Sequence, residues 1–186
     1  GRSTISNTRH GTGLMNIIIV GNGTSITDHK NGNKIDAFDT VLRFNGFKIN
    51  GYEEYTGTKT NIWFTVNHAH INKLDTFDEV IIHSWEWDSE KCKIYQDFIS
   101  RRPSCKQTQR DFVRGNIPLD TPSTGLIAIY MMLERYNKVC ITGFDWWDRE
   151  KHHYGDNESR GTLHKPKEEH VLIQELINKD KVYFLQ

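Results

Sequence analysis

The stretch Met15-Asn16-Ile17-Ile18-Ile19-Val20-Gly21-Asn22-Gly23 is where the chain first declares its architecture. A β-branched apolar run that does not alternate with polar residues marks a strand buried on both faces, and the glycine-bracketed turn behind it closes that strand tightly. Working outward, Thr40 to Phe44 and Asn61 to Val66 repeat the signature, the second setting Ile62, Phe64 and Val66 against Trp63 and Thr65, and Glu79 to His83 reads as a fourth strand. Between Lys91 and Arg102 the residues Ile94, Tyr95, Phe98 and Ile99 fall at helical spacing and Pro103 ends the pattern, which predicts a surface helix. Ser123 to Tyr136 predicts a longer helix, capped by Ser123 or Thr124 and apolar on most sides through Leu126, Ile127, Ile129, Tyr130, Met132 and Leu133, hence buried. Lys138 to Thr142 is a strand stopped by Gly143, a last helix begins near Pro166 and carries Val171, Leu172, Glu175 and Leu176, and Lys181 to Leu185 closes as a strand. Strands alternating with helices predict a single α/β/α sandwich with a mostly parallel sheet, whose ligands bind beyond the carboxyl ends of the strands.

Composition narrows the function classes. With 186 residues, 36% hydrophobic, the chain suits one domain, expected over residues 13–186 behind a polar, aperiodic leader at residues 1–12. Its 24 basic and 24 acidic side chains cancel, and no run of five like charges occurs, so nucleic acid is not an expected partner. The longest apolar run, Ile17 to Val20, is far too short to span a bilayer. Cys92, Cys105 and Cys140 match no metal knuckle or redox pair, and their odd number leaves a free thiol. That points to a reducing compartment, with a Cys92–Cys105 pair in an oxidising lumen still open.

Three regions carry candidate chemistry. The loop Gly21-Asn22-Gly23-Thr24-Ser25 invites comparison with the dinucleotide fingerprint, but the third glycine would fall at Ile26 and no acidic residue follows a second strand in the expected place, so NAD binding is rejected. The turn is then either structural or a place where backbone approaches a ligand. Pro122-Ser123-Thr124-Gly125 opens the buried helix, as a plain N-cap or as an anion site at a positive helix end. The third region is Gly143 to Glu169, with Phe144, Asp145, Trp146, Trp147, His152, His153, Tyr154 and His164. Histidine suits proton transfer near neutral pH. Zinc is not expected here or at His68 and His70, because no His-x-x-x-His or Cys-x-x-Cys spacing accompanies them. Trp146 and Trp147, like Trp85 and Trp87 around Glu86, read equally as sugar-facing platforms or as partial core.

These residues together resemble a known family. Ile18-Ile19-Val20-Gly21-Asn22, Ile35 to Gly46 and Gly57-Thr58-Lys59-Thr60 resemble the large motif of the eukaryotic-type sialyltransferases, and Pro122-Ser123-Thr124-Gly125 through Gly143-Phe144 resembles their small motif. His153-Tyr154 resembles the third motif, and His164 with Glu169 five residues later resembles the very small motif. The order of the four is that of the family. Gly21-Asn22-Gly23-Thr24-Ser25 and Gly143-Phe144-Asp145-Trp146 are also similar to features of a bacterial sialyltransferase family. One departure is a disulfide of the animal enzymes, near whose expected cysteines stand Asn16 and Tyr136. Its absence points to a cytoplasmic enzyme rather than a Golgi one, at most peripheral at the inner membrane face. The spacer from His153 to His164 is also short, and His170 with Glu175 repeats the His-x-x-x-x-Glu spacing. His164 is preferred as base because His170 should lie inside the last helix.

The resemblance implies a Rossmann-like variant of the GT-A glycosyltransferase fold. It implies inverting transfer of sialic acid from CMP-sialic acid to a glycan hydroxyl, with no metal and no further cofactor. It assigns His164 as general base and His153 as donor to the leaving phosphate, with Tyr154 as a second donor. Asn22, Gly23 and Asn45 would hold the ribose and phosphate of CMP, and Asn67 the cytosine or donor sugar. Ser123, Thr124 and Gly125 would bind the donor carboxylate or phosphate, Gly143, Phe144 and Asp145 would close on the ribose, and Glu169 would be a structural partner. CMP-Kdo as donor, or a catalytically silent nucleotide- or glycan-binding module, are the alternatives.

Overall fold

Ile17–Val20 forms a strand with no exposed side, each of its four residues at most 2% exposed. The computed structural model describes residues 15–66, 76–85, 87–145, 154 and 165–186, apart from the side chains at 91, 92 and 95. The expected leader at 1–12 lies outside them. Strands β1 (Ile17–Val20), β2 (Thr40–Phe44), β3 (Ile62–Val66), β4 (Glu79–His83), β5 (Cys105–Gln107), β6 (Val139–Thr142) and β7 (Val182–Phe184) form one sheet in the order β5-β4-β3-β2-β1-β6-β7. Every neighbouring pair is parallel. From β1 the sheet grows outward through β2 to β5 and then, on the other side, through β6 and β7. The reversal falls between β1 and β6, which opens a crevice at their carboxyl ends.

Helices α1 (Gly32–Asp36), α2 (Glu53–Thr56), α3 (Glu90–Ser100), α4 (Arg110–Asn116), α5 (Thr124–Leu133) and α6 (Pro166–Asn178) cover the sheet, with a 3-10 turn at Thr24–Asp28. Ile17, Ile19, Leu42, Phe44 and Phe64 pack on α5 and α6 through Leu126, Ile127, Ile129, Met132 and Ile173. Ile18, Val20 and Val41 face the other way, onto Ile26, Ile35, Cys140 and Tyr154. Farther out, Trp63, Val80, Ile82 and Cys105 meet Phe98 and Ile99 of α3, whose Ile94 points to solvent at 66% exposure. The period of two in the strands thus feeds two apolar layers. Helices α1, α2 and α4 and strand β5 were not predicted from sequence. Each is seven residues or fewer, and β5 is a three-residue edge strand reading Cys-Lys-Gln, so none carries a periodic apolar pattern.

At the amino-terminal end of the sheet, the residues standing near the family's disulfide positions are hydrogen-bonded instead. The Asn16 backbone donates to Asp39 Oδ2 (2.9 Å), Asp39 N donates to Asn16 Oδ1 (2.8 Å), and the Tyr136 hydroxyl donates to Thr40 Oγ1 (3.2 Å). Both side chains therefore converge on the start of β2.

A charge buried in β2 organises the segment that follows. Arg43 is wholly inaccessible, and desolvation pulls its guanidinium down to about 10, so it stays charged at neutral pH. Nη1 and Nη2 donate to Thr56 Oγ1 (2.6 Å) and Thr56 O (2.7 Å), and Nε donates to Lys59 O and Thr60 Oγ1 (both 3.0 Å). Asp36 binds the same loop from the other side, accepting from the backbone N–H of Thr58 (3.0 Å) and Lys59 (2.9 Å). Gly57 between them has φ +70°, and a Cβ there would lie 2.4 Å from Asp36 Oδ1. Lysine has one point charge where Arg43 uses a planar fork. We therefore expect Arg43→Lys to lower stability by about 3 kcal/mol, read as a fall in the urea midpoint at unchanged slope.

Candidate functional site

The crevice between β1 and β6 is closed at its floor by glycine against glycine. Gly21 N donates to Thr142 O and Gly23 N to Gly143 O, both at 2.8 Å. A Cβ on Gly21 would lie 2.4 Å from Gly143 O, and one on Gly143, whose φ is +74°, 2.4 Å from Gly21 O. Side chains are excluded from both positions by backbone, not by a ligand. The same tightness extends outward. A Cβ on Gly125 would meet the Phe144 ring at 2.5 Å, and that ring stands edge-on to Phe44 at 6.1 Å. Asp145 Oδ2 accepts from Thr24 Oγ1 and Ser25 N, both 3.2 Å, and so caps the 3-10 turn whose first position, Gly23, has no side chain to do it.

Above this floor the amides gather. Asn22 donates Nδ2 to Phe44 O (3.1 Å) and its backbone carbonyl accepts from Tyr154 N (3.0 Å), while its Oδ1 has no partner among the described residues. Asn45 sits in the left-handed region at φ 45°, which asparagine tolerates better than most residues. Its backbone carbonyl accepts from Trp63 Nε1 (2.8 Å) and its Oδ1 from Val66 N (3.1 Å), which fixes the side chain and leaves both Nδ2 protons without a described partner.

At the start of α5, Ser123 serves as N-cap, accepting from Leu126 N at 3.3 Å. The positive end of this helix already holds a carboxylate. Glu169, 5% exposed, accepts from Ser123 N (2.9 Å) and from the Ser123 hydroxyl, which ties α6 to α5. The backbone N–H groups of Thr124 and Gly125 have no partner among the described residues.

Tyr154 is 5% exposed, and burial raises its phenol above the ordinary value of 10. Its hydroxyl donates to Lys48 O and accepts from Lys48 N (3.0 Å), and its ring stands edge-on to Tyr52 at 4.9 Å. It thus pins the segment after β2 instead of offering a free donor. Of the expected site residues, Asn22, Gly23, Asn45, Ser123, Thr124, Gly125, Gly143, Phe144, Asp145 and Tyr154 come together at the carboxyl end of the sheet, and Glu169 joins them from α6. His153, His164 and Asn67 lie outside the described residues, as do His68, His70, His152, Trp146 and Trp147. His170 lies on the exposed side of α6 with its Nε2 3.2 Å from Gln174 Nε2.

One neighbour escaped the sequence reading. His83, the last residue of β4, is 1% exposed, and desolvation drops its imidazole to about 4. Nδ1 lies 2.7 Å from Thr108 Oγ1, and Nε2 is buried with no hydrogen-bond partner among the described residues. The terminal histidine of an apolar strand gives no sequence signal of this kind.

The chain is similar to known proteins in sequence and in fold. A family model described as glycosyltransferase family 29 (sialyltransferase) matches residues 5–98. A rat CMP-N-acetylneuraminate-beta-1,4-galactoside alpha-2,3-sialyltransferase is 24% identical over 168 residues, covering 69% of this chain and 44% of the relative. A rat lactosylceramide alpha-2,3-sialyltransferase is 24% identical over 212 residues, covering 89% and 55%. The chain spans about half the length of the curated relatives it matches. A solved structure of a mammalian sialyltransferase in complex with Gal-beta-1-3GalNAc-ortho-nitrophenol has the same fold, with a TM-score of 0.69 at 18% identity over 92% of this chain and 69% of the other. The comparison corrects the cytoplasmic placement expected from the cysteines, because the animal relatives are Golgi enzymes that act in the lumen. Physically, the hydrogen bonds of Asn16 and Tyr136 hold the start of β2 without a disulfide, so its absence carries no information about compartment. Among the described residues no helix is long and apolar enough to cross a membrane.

His83 sets a pH signature. As pH falls from 6.5 towards 4 the unfolded chain takes up a proton that the folded one refuses, so this contribution is complete above 6.5 and is lost on acidification. We expect His83→Phe to flatten the acid side of the urea-stability profile by up to about 3 kcal/mol between pH 7 and 4.

Proposed function

The chain belongs to glycosyltransferase family 29, the sialyltransferases, and from that premise we propose that it moves sialic acid from CMP-sialic acid to a hydroxyl of a galactoside glycan, inverting the anomeric centre without a metal. The observation that carries this reading is the set of unused polar groups at one end of the sheet: Asn22 Oδ1, Asn45 Nδ2 and the N–H groups of Thr124 and Gly125. An acceptor and a fixed pair of donors suit a ribose hydroxyl and a phosphate oxygen. The free amides at the positive end of α5 suit an anion, which CMP-sialic acid supplies as phosphate or carboxylate. The acceptor class rests on the relatives, one of them named for β-1,4-galactosides and the solved structure holding Gal-beta-1-3GalNAc.

The chemistry asks for little more. The transition state is an oxocarbenium-like sugar departing from CMP while the acceptor hydroxyl loses its proton. An alcohol needs a base within hydrogen-bond reach, and the motif match assigns that role to His164, help worth about 10²- to 10⁴-fold. His153 is assigned to the leaving phosphate, where a well-aimed donor contributes roughly 3 kcal/mol. Tyr154, next to His153 in sequence, is tied to Asn22 O and Lys48 and so belongs to the scaffold of that end of the sheet.

Thermal-shift titration of EDTA-treated protein against CMP, UMP, GDP and NAD tests this reading. CMP at about 100 times its dissociation constant adds roughly 2.7 kcal/mol, or about 5 to 10 °C for a chain of this size. CMP alone is expected to shift the midpoint, and His164→Ala to keep that shift while losing transfer. No shift with CMP, or a larger one with another nucleotide, contradicts the proposal.

A further inference from the structure

Four asparagines in this chain are followed by glycine: Asn22, Asn31, Asn45 and Asn50. An asparagine side-chain amide is open to attack by the backbone nitrogen of the next residue, and glycine, with no Cβ in the way, permits that approach most readily. Ring closure needs a free backbone N–H, a free side-chain amide and room to turn about the asparagine Cα–C bond. The fold withholds these from three of the four pairs. At Asn22 both reacting groups are engaged, Gly23 N with Gly143 O (2.8 Å) and Nδ2 with Phe44 O (3.1 Å). Asn45 is held by its Oδ1, which accepts from Val66 N (3.1 Å) and Thr65 Oγ1 (3.3 Å). Asn31 stands at the N-cap of α1, its carbonyl accepting from Ile35 N (3.0 Å), and Gly32 is buried so tightly that a Cβ would lie 2.2 Å from Glu53 O.

The fourth pair is open. Asn50 and Gly51 are exposed and form the middle of a turn closed by Tyr52 N donating to Ile49 O (2.7 Å). Gly51 has φ +84°, with nothing within 4 Å of where a Cβ would stand. Neither its N–H nor the Asn50 side-chain amide has a hydrogen-bond partner among the described residues. We propose that Asn50 is a site of spontaneous covalent modification, converting through a cyclic imide to aspartate and isoaspartate while the other three asparagines are spared. The Gly51 nitrogen gives its proton to solvent and attacks Asn50 Cγ. The N–Cγ bond forms, the Cγ–Nδ2 bond breaks, and Nδ2 leaves as ammonia with a proton taken from water. Water then opens the imide at either carbonyl. The sum is amide plus water to carboxylic acid plus ammonia, with no change of oxidation state. The product carries a new carboxylate close in sequence to Glu53 and Glu54 and, as isoaspartate, an extra backbone methylene. The change falls between Lys48 and Tyr52, which meet the hydroxyl and the ring of Tyr154.

The four pairs fall in four different tryptic peptides, and Asn50 is the only asparagine of Ile49–Lys59. The folded wild-type chain and Asn50→Gln are incubated at mildly alkaline pH beside wild type unfolded in urea, in which no pair is protected, until the unfolded reference has converted. Peptides are then mapped by mass spectrometry with electron-transfer fragmentation, which tells isoaspartate from aspartate. Acid accumulates in Ile49–Lys59 of the folded wild type, and at least roughly tenfold more slowly at the other three pairs, the scale of hydrogen bonds added to a barrier. All four pairs convert in urea, and the Asn50→Gln chain keeps Ile49–Lys59 unmodified. Equal rates at the four pairs of the folded chain, or an unchanged Ile49–Lys59 in the folded chain when the same peptide has converted in urea, overturns the proposal.

Discussion

The contact on which the rest of the structure depends is the one between the backbones of Gly21 and Gly143. Each position excludes even a Cβ, because the carbonyl oxygen of the other would lie 2.4 Å away. The parallel strands β1 and β6, whose connections lead to opposite sides of the sheet, are thereby locked together at their carboxyl ends. Asn22 is presented from one loop, and Phe144 and Asp145 from the other settle against Gly125 and Gly23. The glycines in these loops are packing residues first, and they bring the polar groups of the site into one crevice.

A second constraint fixes the neighbouring loop. Arg43 is a charge in a buried strand, satisfied by the hydroxyl groups and carbonyls of residues 56–60. Among the described residues no carboxylate stands within ion-pair distance of it, so its desolvation is offset chiefly by these hydrogen bonds, with help from the more distant charge of Asp36 and the Phe47 ring 5.7 Å away. On the other side, Glu169 joins α6 to α5 through Ser123. The motif residues accordingly divide into two kinds. Arg43, Asp36, Asp145, Tyr154, Ser123 and Glu169 spend side-chain atoms on other parts of the chain, whereas Asn22, Asn45, Thr124 and Gly125 keep polar groups without a partner among the described residues. That division gives a rigid frame with a small set of open donors and acceptors, which is what electrostatic preorganisation at a transfer site needs.

Much of this was legible in the sequence because burial leaves a pattern. Thr40–Phe44 and Glu79–His83 have the bounds that their apolar runs suggested, and the apolar helix of residues 124–133 lies in the core as its composition required. The loops after β1, β2 and β6 were found through their glycines and asparagines. The partners of each polar side chain were not legible, since they are set by tertiary contact. That Asp145 Oδ2 caps Ser25, and that the Tyr154 hydroxyl is bound to Lys48, could not be read from the sequence. Arg43 and His83 end or interrupt apolar runs, where sequence alone offers no reason to expect a buried charge or a buried neutral imidazole.

The most direct test of the central claim is the anomeric configuration of the product formed from CMP-sialic acid and a galactoside in the presence of EDTA, read by proton NMR of the sugar's C3 methylene during turnover. Metal-free inverting transfer gives CMP and a sialoside of the anomer opposite to the donor's from the first time points. A product that keeps the donor's configuration, or turnover that appears only when a divalent cation is restored, would contradict it.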